Sequence, residues 1–287
     1  MGTSSSYRGP SGRNPLLPPW AEEAGDSVAL PGEETSPAPA GDEGEGSDET
    51  APTPIVPELT WRAPKRVMGQ LGRGAGGGTS TSALRGLGRS YVRASGGART
   101  AATAARAGRS ATARLGGLFA TSIREGFQRT LERLGLQRLL GQDVQTVLAA
   151  FVELLAPDGA LLEEAAARSA LIETLEAVFE RYDVETSGVE SLGSMDAAVL
   201  GEIVELSVVN YVNARMQQEL ANRIERGTLP EGEANRLMDE IRDFVGEIIK
   251  LDFAGVDLVN LDWEGPEGRR LVLGVYEDAY RLLGEEP

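Results

Sequence analysis

The chain of 287 residues contains no cysteine and no histidine, and these two absences narrow its chemistry. Without cysteine there are no disulfides, thiol nucleophiles or thiolate metal ligands. Without histidine the commonest general base is missing as well. No other catalytic constellation is recognisable. The sequence therefore predicts a protein that is not an enzyme and that uses neither a metal nor another cofactor.

Long apolar runs and targeting signals are also scarce. The longest apolar stretch, Val147 to Ala156, is interrupted by Glu153 and is too short to cross a bilayer. The N-terminus lacks the charged and apolar regions of a signal peptide. The lack of cysteine is typical of a reducing compartment. We therefore expect a cytoplasmic protein with no membrane span.

Charge is present in abundance, but it is unevenly distributed along the chain. Residues 1–61 carry two arginines against eleven acids, a net charge of −9. Residues 62–124 carry twelve bases and no acid, a net charge of +12. Residues 125–287 carry fourteen bases against thirty-three acids, a net charge of −19. Such asymmetry is more informative than the total net charge of −16.

Composition divides the chain into four parts. Residues 1–20 form a linear motif, and residues 21–61 are an acidic spacer whose composition predicts disorder. Residues 62–117 are rich in arginine, glycine and alanine, and we expect them to be largely disordered. Residues 118–287 are expected to fold as a helical domain.

Apolar residues at helical spacing predict an all-α fold for this domain. We expect a bundle of about six helices, preceded by a long disordered N-terminal region. The stop and start signals include Pro157, Asp158, Ser194, Gly227 and Pro266. The predicted helices cover about 118–139, 144–156, 158–182, 194–226, 228–249 and 266–283.

Two acidic stretches of the sequence each allow a functional and a structural interpretation. The stretch Asp183–Gly188 resembles the start of a calcium-binding loop, but Ser194 occupies the position of the bidentate glutamate. We expect an interhelical turn there. Around Trp263 a loop carries several acids, for which a structural or partner-contact role is favoured over catalysis. These acids are Asp252, Asp257, Asp262 and Glu264.

The basic segment 62–124 leaves three interpretations open. It binds DNA or RNA, docks an acidic partner, or pairs with the acidic domain of its own chain. Aromatic residues are too sparse there to support stacking on single-stranded bases. The arginines that would contact nucleic acid are Arg85, Arg89, Arg93, Arg99, Arg106 and Arg109.

The N-terminal motif has the features of a tail that an enzyme or a partner binds. Removal of Met1 would leave Gly2 as the terminus, and a free α-amine titrates near pH 7.7–8.0, so much of it is neutral and nucleophilic. Prolines limit the entropy lost on binding, and tryptophan is a good anchor. We expect Gly2 to be modified and the following residues to contact a partner: Thr3, Ser4, Ser5, Ser6, Tyr7, Pro15, Leu16, Leu17, Pro18, Pro19 and Trp20.

At these residues the sequence resembles the QatB family of the Qat anti-phage defence system. The similarity lies in the MGTS start, the Ser-Tyr-Arg-Gly-Pro element at 6–10 and the Pro-Leu-Leu-Pro-Pro-Trp run at 15–20. The layout of tail, basic middle and helical domain also matches the family.

The resemblance implies a role in bacterial immunity and a set of partners. Those partners are a QueC-like deazapurine enzyme, an ATPase and a TatD-like nuclease. QueC-like enzymes activate the carboxylate of a 7-deazaguanine with ATP. Our hypothesis is that such an enzyme binds the tail and joins this carboxylate to the amine of Gly2. The helical domain would then serve complex assembly, with a nucleic-acid-binding adaptor as the alternative function.

Overall fold

A computed structural model of the chain describes residues 80–156, 159, 161–223 and 231–285, and the side chains of all these except 219–223 and 231–234. The described residues are helical and contain no β-strand, which confirms the all-α prediction. Their α-helices are α1 (Thr81–Ala94), α2 (Ala98–Ala104), α3 (Arg106–Glu125), α4 (Phe127–Arg133), α5 (Val144–Leu155), α6 (Leu162–Arg181), α7 (Val184–Ser187), α8 (Ala197–Arg223), α9 (Glu231–Ile248) and α10 (Pro266–Gly284), with 3-10 helices at Gln137–Leu139 and Val189–Ser194.

Three long helices form the centre of the domain. Helices α3, α6 and α8 pack against one another, and α10 packs against α1, α2 and α3. Helix α5 covers α6, and α9 covers α8. The central side chains are fully buried, among them Phe119, Phe151, Leu171, Leu175 and Leu200. Burial of apolar surface on this scale supplies most of the folding free energy.

The predicted helices are present, with differences at their ends. The long helix α8 begins after Asp196, whose carboxylate accepts from the backbone N–H groups of Ala198 and Val199, so the prediction of Ser194 as its cap is wrong. Pro266 occupies the first turn of α10, as predicted. The helix expected over 118–139 ends instead at Gly126, whose φ of 92° interrupts it. The predicted signals at Pro157, Asp158 and Gly227 lie outside the described residues.

The larger difference concerns the segment 62–117, which was predicted to be largely disordered. Residues 81–117 form α1, α2 and most of α3, and they are part of the core. Their small residues act as packing surfaces rather than as breakers. A Cβ at Gly108 would lie 2.5 Å from Cδ2 of Tyr211, and one at Gly88 would lie 2.9 Å from Cδ1 of Leu283. Glycine and alanine therefore allow close helix contacts here, which composition alone cannot reveal.

One described helix has the length and apolar character of a membrane span. It comprises Ala197–Gln218 in α8, and 61% of its apolar window is buried inside the domain. A core helix that packs against neighbours on most sides has the same composition, so this is weak support for a span.

Candidate functional site: an arginine-lined groove

The predicted sites fall into two groups with respect to the structure. The tail from Gly2 to Trp20 lies outside the described residues, as does the acidic spacer 21–61. The arginines predicted to contact nucleic acid are all described. Arg85, Arg89 and Arg93 lie on α1, Arg99 on α2, and Arg106 and Arg109 on α3.

The structure brings only some of these arginines together. Of the six, Arg106 and Arg109 line a common cavity, which also includes residues from α10. The first three helices nevertheless form a strongly basic unit, because residues 81–124 carry eight arginines and no acid. Arginine guanidiniums bind carboxylates and phosphates with fixed geometry.

A groove of about 660 Å³ lies beside α3. Helix α3 forms its floor, and the end of α4, the last turn of α5 and the loop before α10 form its walls. Two leucines that line it, Leu134 and Leu154, are 37% and 38% exposed. They are two of the five large hydrophobic side chains that are exposed in the described part of the chain. Exposed apolar side chains in a concave surface are typical of a binding site.

Three arginines line this groove, and each is held by a neighbouring group. Arg114 Nη1 donates to the carbonyl of Leu155 at 3.4 Å, and Arg124 Nη1 donates to the carbonyl of Val259 at 3.1 Å. Arg133 and Arg124 both pair with the carboxylate of Glu125, at 3.7 and 3.3 Å. The guanidiniums are thereby oriented before a ligand arrives, which lowers the entropy lost on binding.

The loop 251–265 closes one side of the groove, and Trp263 attaches it to the core. The indole N–H of Trp263 donates to the carbonyl of Leu258 at 3.0 Å, and the ring is 3% exposed. It packs over Gly116, where a Cβ would lie 2.5 Å from Cε3 of the ring. Without a side chain at Gly116 the loop can therefore approach α3 closely.

The acids of this loop hold its backbone in place. Asp252 accepts from the N–H of Ala254 at 2.8 Å, and Asp262 accepts from the N–H of Gly265 at 3.0 Å. Asp257 accepts from the backbone and side chain of Asn260, and these hydrogen bonds lower the pKa of its carboxyl. These three side chains thus have a structural role, which is one of the two roles favoured over catalysis for them. The fourth acid, Glu264, lines the groove.

A second cavity of about 360 Å³ adjoins the groove. Arg114, Trp263 and Glu264 line both. Four arginines surround it, from α3 and from the first turns of α10, and Glu264 is the acid among the residues that line it. These arginines are Arg106, Arg109, Arg114 and Arg269.

A partly buried polar cluster at the start of α3 has no signature in the sequence. The carboxylate of Glu163 on α6 accepts from the N–H groups of Ala107 and Gly108, at 2.9 and 3.1 Å, and from the hydroxyl of Tyr211 at 2.7 Å. It therefore caps the N-terminus of α3, whose own cap residue Ala105 offers no side-chain acceptor. Burial raises the pKa of the Tyr211 phenol.

The motif Asp183–Gly188, which was expected to be an interhelical turn, contains the single turn of α7. The carboxylate of Asp183 accepts from the hydroxyl of Thr186 within this turn. Among the described residues, no three acidic side chains come close enough together to hold a metal ion.

Comparison with known proteins places the helical domain in a family. Residues 96–283 match the model of the family QatB, described as Qat anti-phage system associated protein QatB. Searches of curated proteins and of solved structures find no match. The match covers α2 to α10, including every residue that lines the groove and the adjoining cavity. The chain therefore belongs to the QatB family and is a component of an anti-phage defence system.

Proposed function

We propose that this chain is a non-enzymatic, cytoplasmic component of its defence system with two working parts. The helical domain binds another protein of the system, and the N-terminal tail is bound and modified by a QueC-like enzyme. The observation that carries the assembly role is the groove beside α3, where exposed leucines lie among oriented arginines. The ATPase and the TatD-like nuclease implied by the family resemblance are further candidate partners.

The groove selects for a particular kind of protein segment. Leu134 and Leu154 offer apolar surface for an anchoring side chain. Arg114, Arg124 and Arg133 surround that surface with guanidinium donors, and Asp262 and Glu264 line the groove as well. A partner segment that carries apolar anchors flanked by carboxylates satisfies both features, since buried anchors give affinity and charge gives orientation.

Substitution of a groove leucine tests the assembly role. Leu154→Asp places a carboxylate on the apolar surface, and we expect it to reduce recovery of the co-expressed Qat components in a pull-down by about tenfold or more. Val256→Asp is the matched control, because Val256 is 39% exposed, like Leu154, but does not line the groove. Equal recovery with both variants would contradict the assembly role.

The tail proposal rests on the residues themselves and on the family. Gly2, freed by removal of Met1, is small and unhindered, and a larger fraction of its α-amine is neutral than of a lysine amine at the same pH. Attack by this amine on an ATP-activated carboxylate forms an amide, releases the nucleotide leaving group and loses one proton. The segment from Thr3 to Tyr7 would lie in the enzyme entrance, and Leu16 to Trp20 would anchor the tail.

Blocking the terminus tests this step in the cell. An extra residue placed before Gly2 that resists trimming removes the reactive amine from its position. We expect phage defence to be lost while the protein level stays the same. Defence that survives this change would contradict a required modification at Gly2.

One observation favours the alternative function, which is the binding of nucleic acid. Helices α1 to α3 present eight arginines without an acid between residues 81 and 124. An affinity for DNA or RNA that falls steeply with salt would support it, since each neutralised phosphate releases counterions. Loss of that affinity on joint substitution of Arg85, Arg89 and Arg93 would assign it to α1.

A further inference from the structure

The cavity that adjoins the groove concentrates positive charge to an unusual degree. Four arginines line about 360 Å³ of space, and three come from one helix while the fourth comes from α10. None of the four forms a salt bridge with a carboxylate in the part of the chain that the structure describes. Their charge is therefore not balanced by the described ion pairs of the fold. The four are Arg106, Arg109, Arg114 and Arg269.

Backbone carbonyls hold three of these guanidiniums in place. Arg109 donates to the carbonyls of Ala105 and Thr103, at 3.3 and 3.2 Å. Arg114 donates to the carbonyl of Leu155, and Arg269 donates to the carbonyl of Glu264. Each guanidinium has five N–H donors, so these contacts orient the group and leave donors for a ligand. A carbonyl also leaves the full positive charge in place, whereas a carboxylate would neutralise it.

From this arrangement we propose that the four-arginine cavity is a binding site for a phosphate-bearing ligand. Phosphate oxygens accept paired hydrogen bonds from guanidiniums, and several arginines around one anion give the strongest such contacts. The volume lies in the range of small-molecule sites and accommodates a phosphate or polyphosphate group. The phosphate comes either from a free nucleotide or from the backbone of a nucleic acid.

The cavity can be tested separately from the assembly groove, because one of its arginines does not line the groove. Arg106 lines the cavity but not the groove, and its side chain is exposed. Arg99 on α2 is also exposed, lies outside both depressions, and forms no salt bridge with a described acid. Arg106→Gln and Arg99→Gln therefore remove the same charge from an exposed position, one at the cavity and one away from it.

Calorimetric titration of the full chain with pyrophosphate, ATP and a short single-stranded DNA with hydroxyl ends tests the proposal. We expect saturable binding of one molecule of pyrophosphate per chain. Arg106→Gln should weaken it about tenfold, because a hydrogen bond to a charged group is lost. Arg99→Gln should leave it unchanged, and Glu264→Gln should strengthen it, because Glu264 repels an anion in the cavity. Circular dichroism of each variant checks that the helices are retained.

Competition identifies the source of the phosphate. If ATP binds and pyrophosphate displaces it, the ligand is a free polyphosphate. If the DNA binds, ATP does not, and pyrophosphate displaces the DNA, the ligand is a phosphodiester backbone, provided that Arg106→Gln weakens DNA binding more than Arg99→Gln does. The proposal is overturned if none of the three probes binds, or if the two arginine variants weaken binding equally.

Discussion

At the scale of single residues, two adjacent glycines of α3 differ in the space that is available for a side chain. This difference allows a test of the packing around them. A Cβ at Gly116 would lie 2.5 Å from Cε3 and Cζ3 of Trp263, whereas one at Gly117 would lie 3.5 Å from Cβ of the same residue. We expect Gly116→Ala to lower the free energy of unfolding by about 1–3 kcal/mol through overpacking. Gly117→Ala should raise it by about 0.5–1 kcal/mol, because alanine favours the helix. Urea unfolding measures both, and a shift of the same sign in the two variants would contradict the packing of Trp263.

The carboxylate of Glu163 accepts hydrogen bonds from three groups on α3 and α8. Glu163→Ala leaves two backbone N–H groups at the start of α3 and the hydroxyl of Tyr211 without their acceptor. We expect a loss of about 1–3 kcal/mol in the free energy of unfolding, the cost of unsatisfied buried donors. Glu180→Ala on the exposed face of the same helix is the control and should change little. Thermal melting that shifts equally in both would show that Glu163 does not cap α3.

Sequence could predict single-residue roles only where the partner is close along the chain. Pro266 at the start of α10 follows a local rule and was found. The capping role of Glu163 was not found, because its acceptor oxygens meet N–H groups 55 and 56 residues away. The choice of Ser194 as a cap failed because Asp196, two residues later, offers a stronger acceptor.

At the scale of helices, buried tyrosines connect α3, α8 and α10. Thr112 on α3 forms hydrogen bonds with Ser207 on α8 and with Tyr276 on α10, at 2.9 and 3.0 Å. The rings of Tyr211 and Tyr276 pack edge to face with centroids 5.3 Å apart. Burial raises the pKa of both phenols above their ordinary value.

These raised pKa values predict a loss of stability in alkaline solution. A phenol whose pKa is raised by folding stays protonated in the folded state, so its stabilisation is complete below the unfolded pKa of about 10. As the pH rises above that value, the unfolded state ionises first, and each such tyrosine removes about 1.4 kcal/mol per pH unit. We expect Tyr276→Phe to reduce this fall, measured by urea unfolding from pH 8 to 11. An unchanged pH dependence in the variant would contradict a buried, protonated Tyr276.

Helix α1 is part of the fold although the family match begins after it. Its side chains Leu87 and Tyr91 are buried, and the ring of Tyr91 stacks on Tyr280 of α10 with centroids 6.4 Å apart. Deletion of residues 1–95 would expose this face of α10, whereas deletion of residues 1–79 would not. We expect the shorter chain to melt well below the longer one, by 5 °C or more on the usual scale of about 2–4 °C per kcal/mol. Equal melting temperatures by circular dichroism would show that α1 does not contribute to the core.

Element prediction succeeded where apolar spacing was regular and failed where side chains were small. The amphipathic stripes of α5 and α10 are visible in sequence, and both helices are present. In α1 and α3, glycines allow the close approach of Leu283, Tyr211 and Trp263. Such contacts depend on the partner helix, so composition indicated disorder where the structure has a packed helix.

At the scale of the whole molecule, the uneven distribution of charge along the sequence corresponds to a division in the structure. The basic segment found in sequence contributes α1 to α3, and its arginines line both the groove and the four-arginine cavity. Sequence could not predict these two sites, because Leu154 and Arg269 join them from distant parts of the chain. The tail, in contrast, was interpreted from sequence, and its modification stays a prediction.

The central claim is that the tail is a substrate, and mass spectrometry of the N-terminal peptide tests it most directly. The protein is purified from cells that express the QueC-like neighbour and from cells that lack it. The account predicts that Met1 is absent in both samples and that Gly2 carries added mass, consistent with a deazaguanine amide, only when the neighbour is present. An unmodified Gly2 in both samples would contradict it.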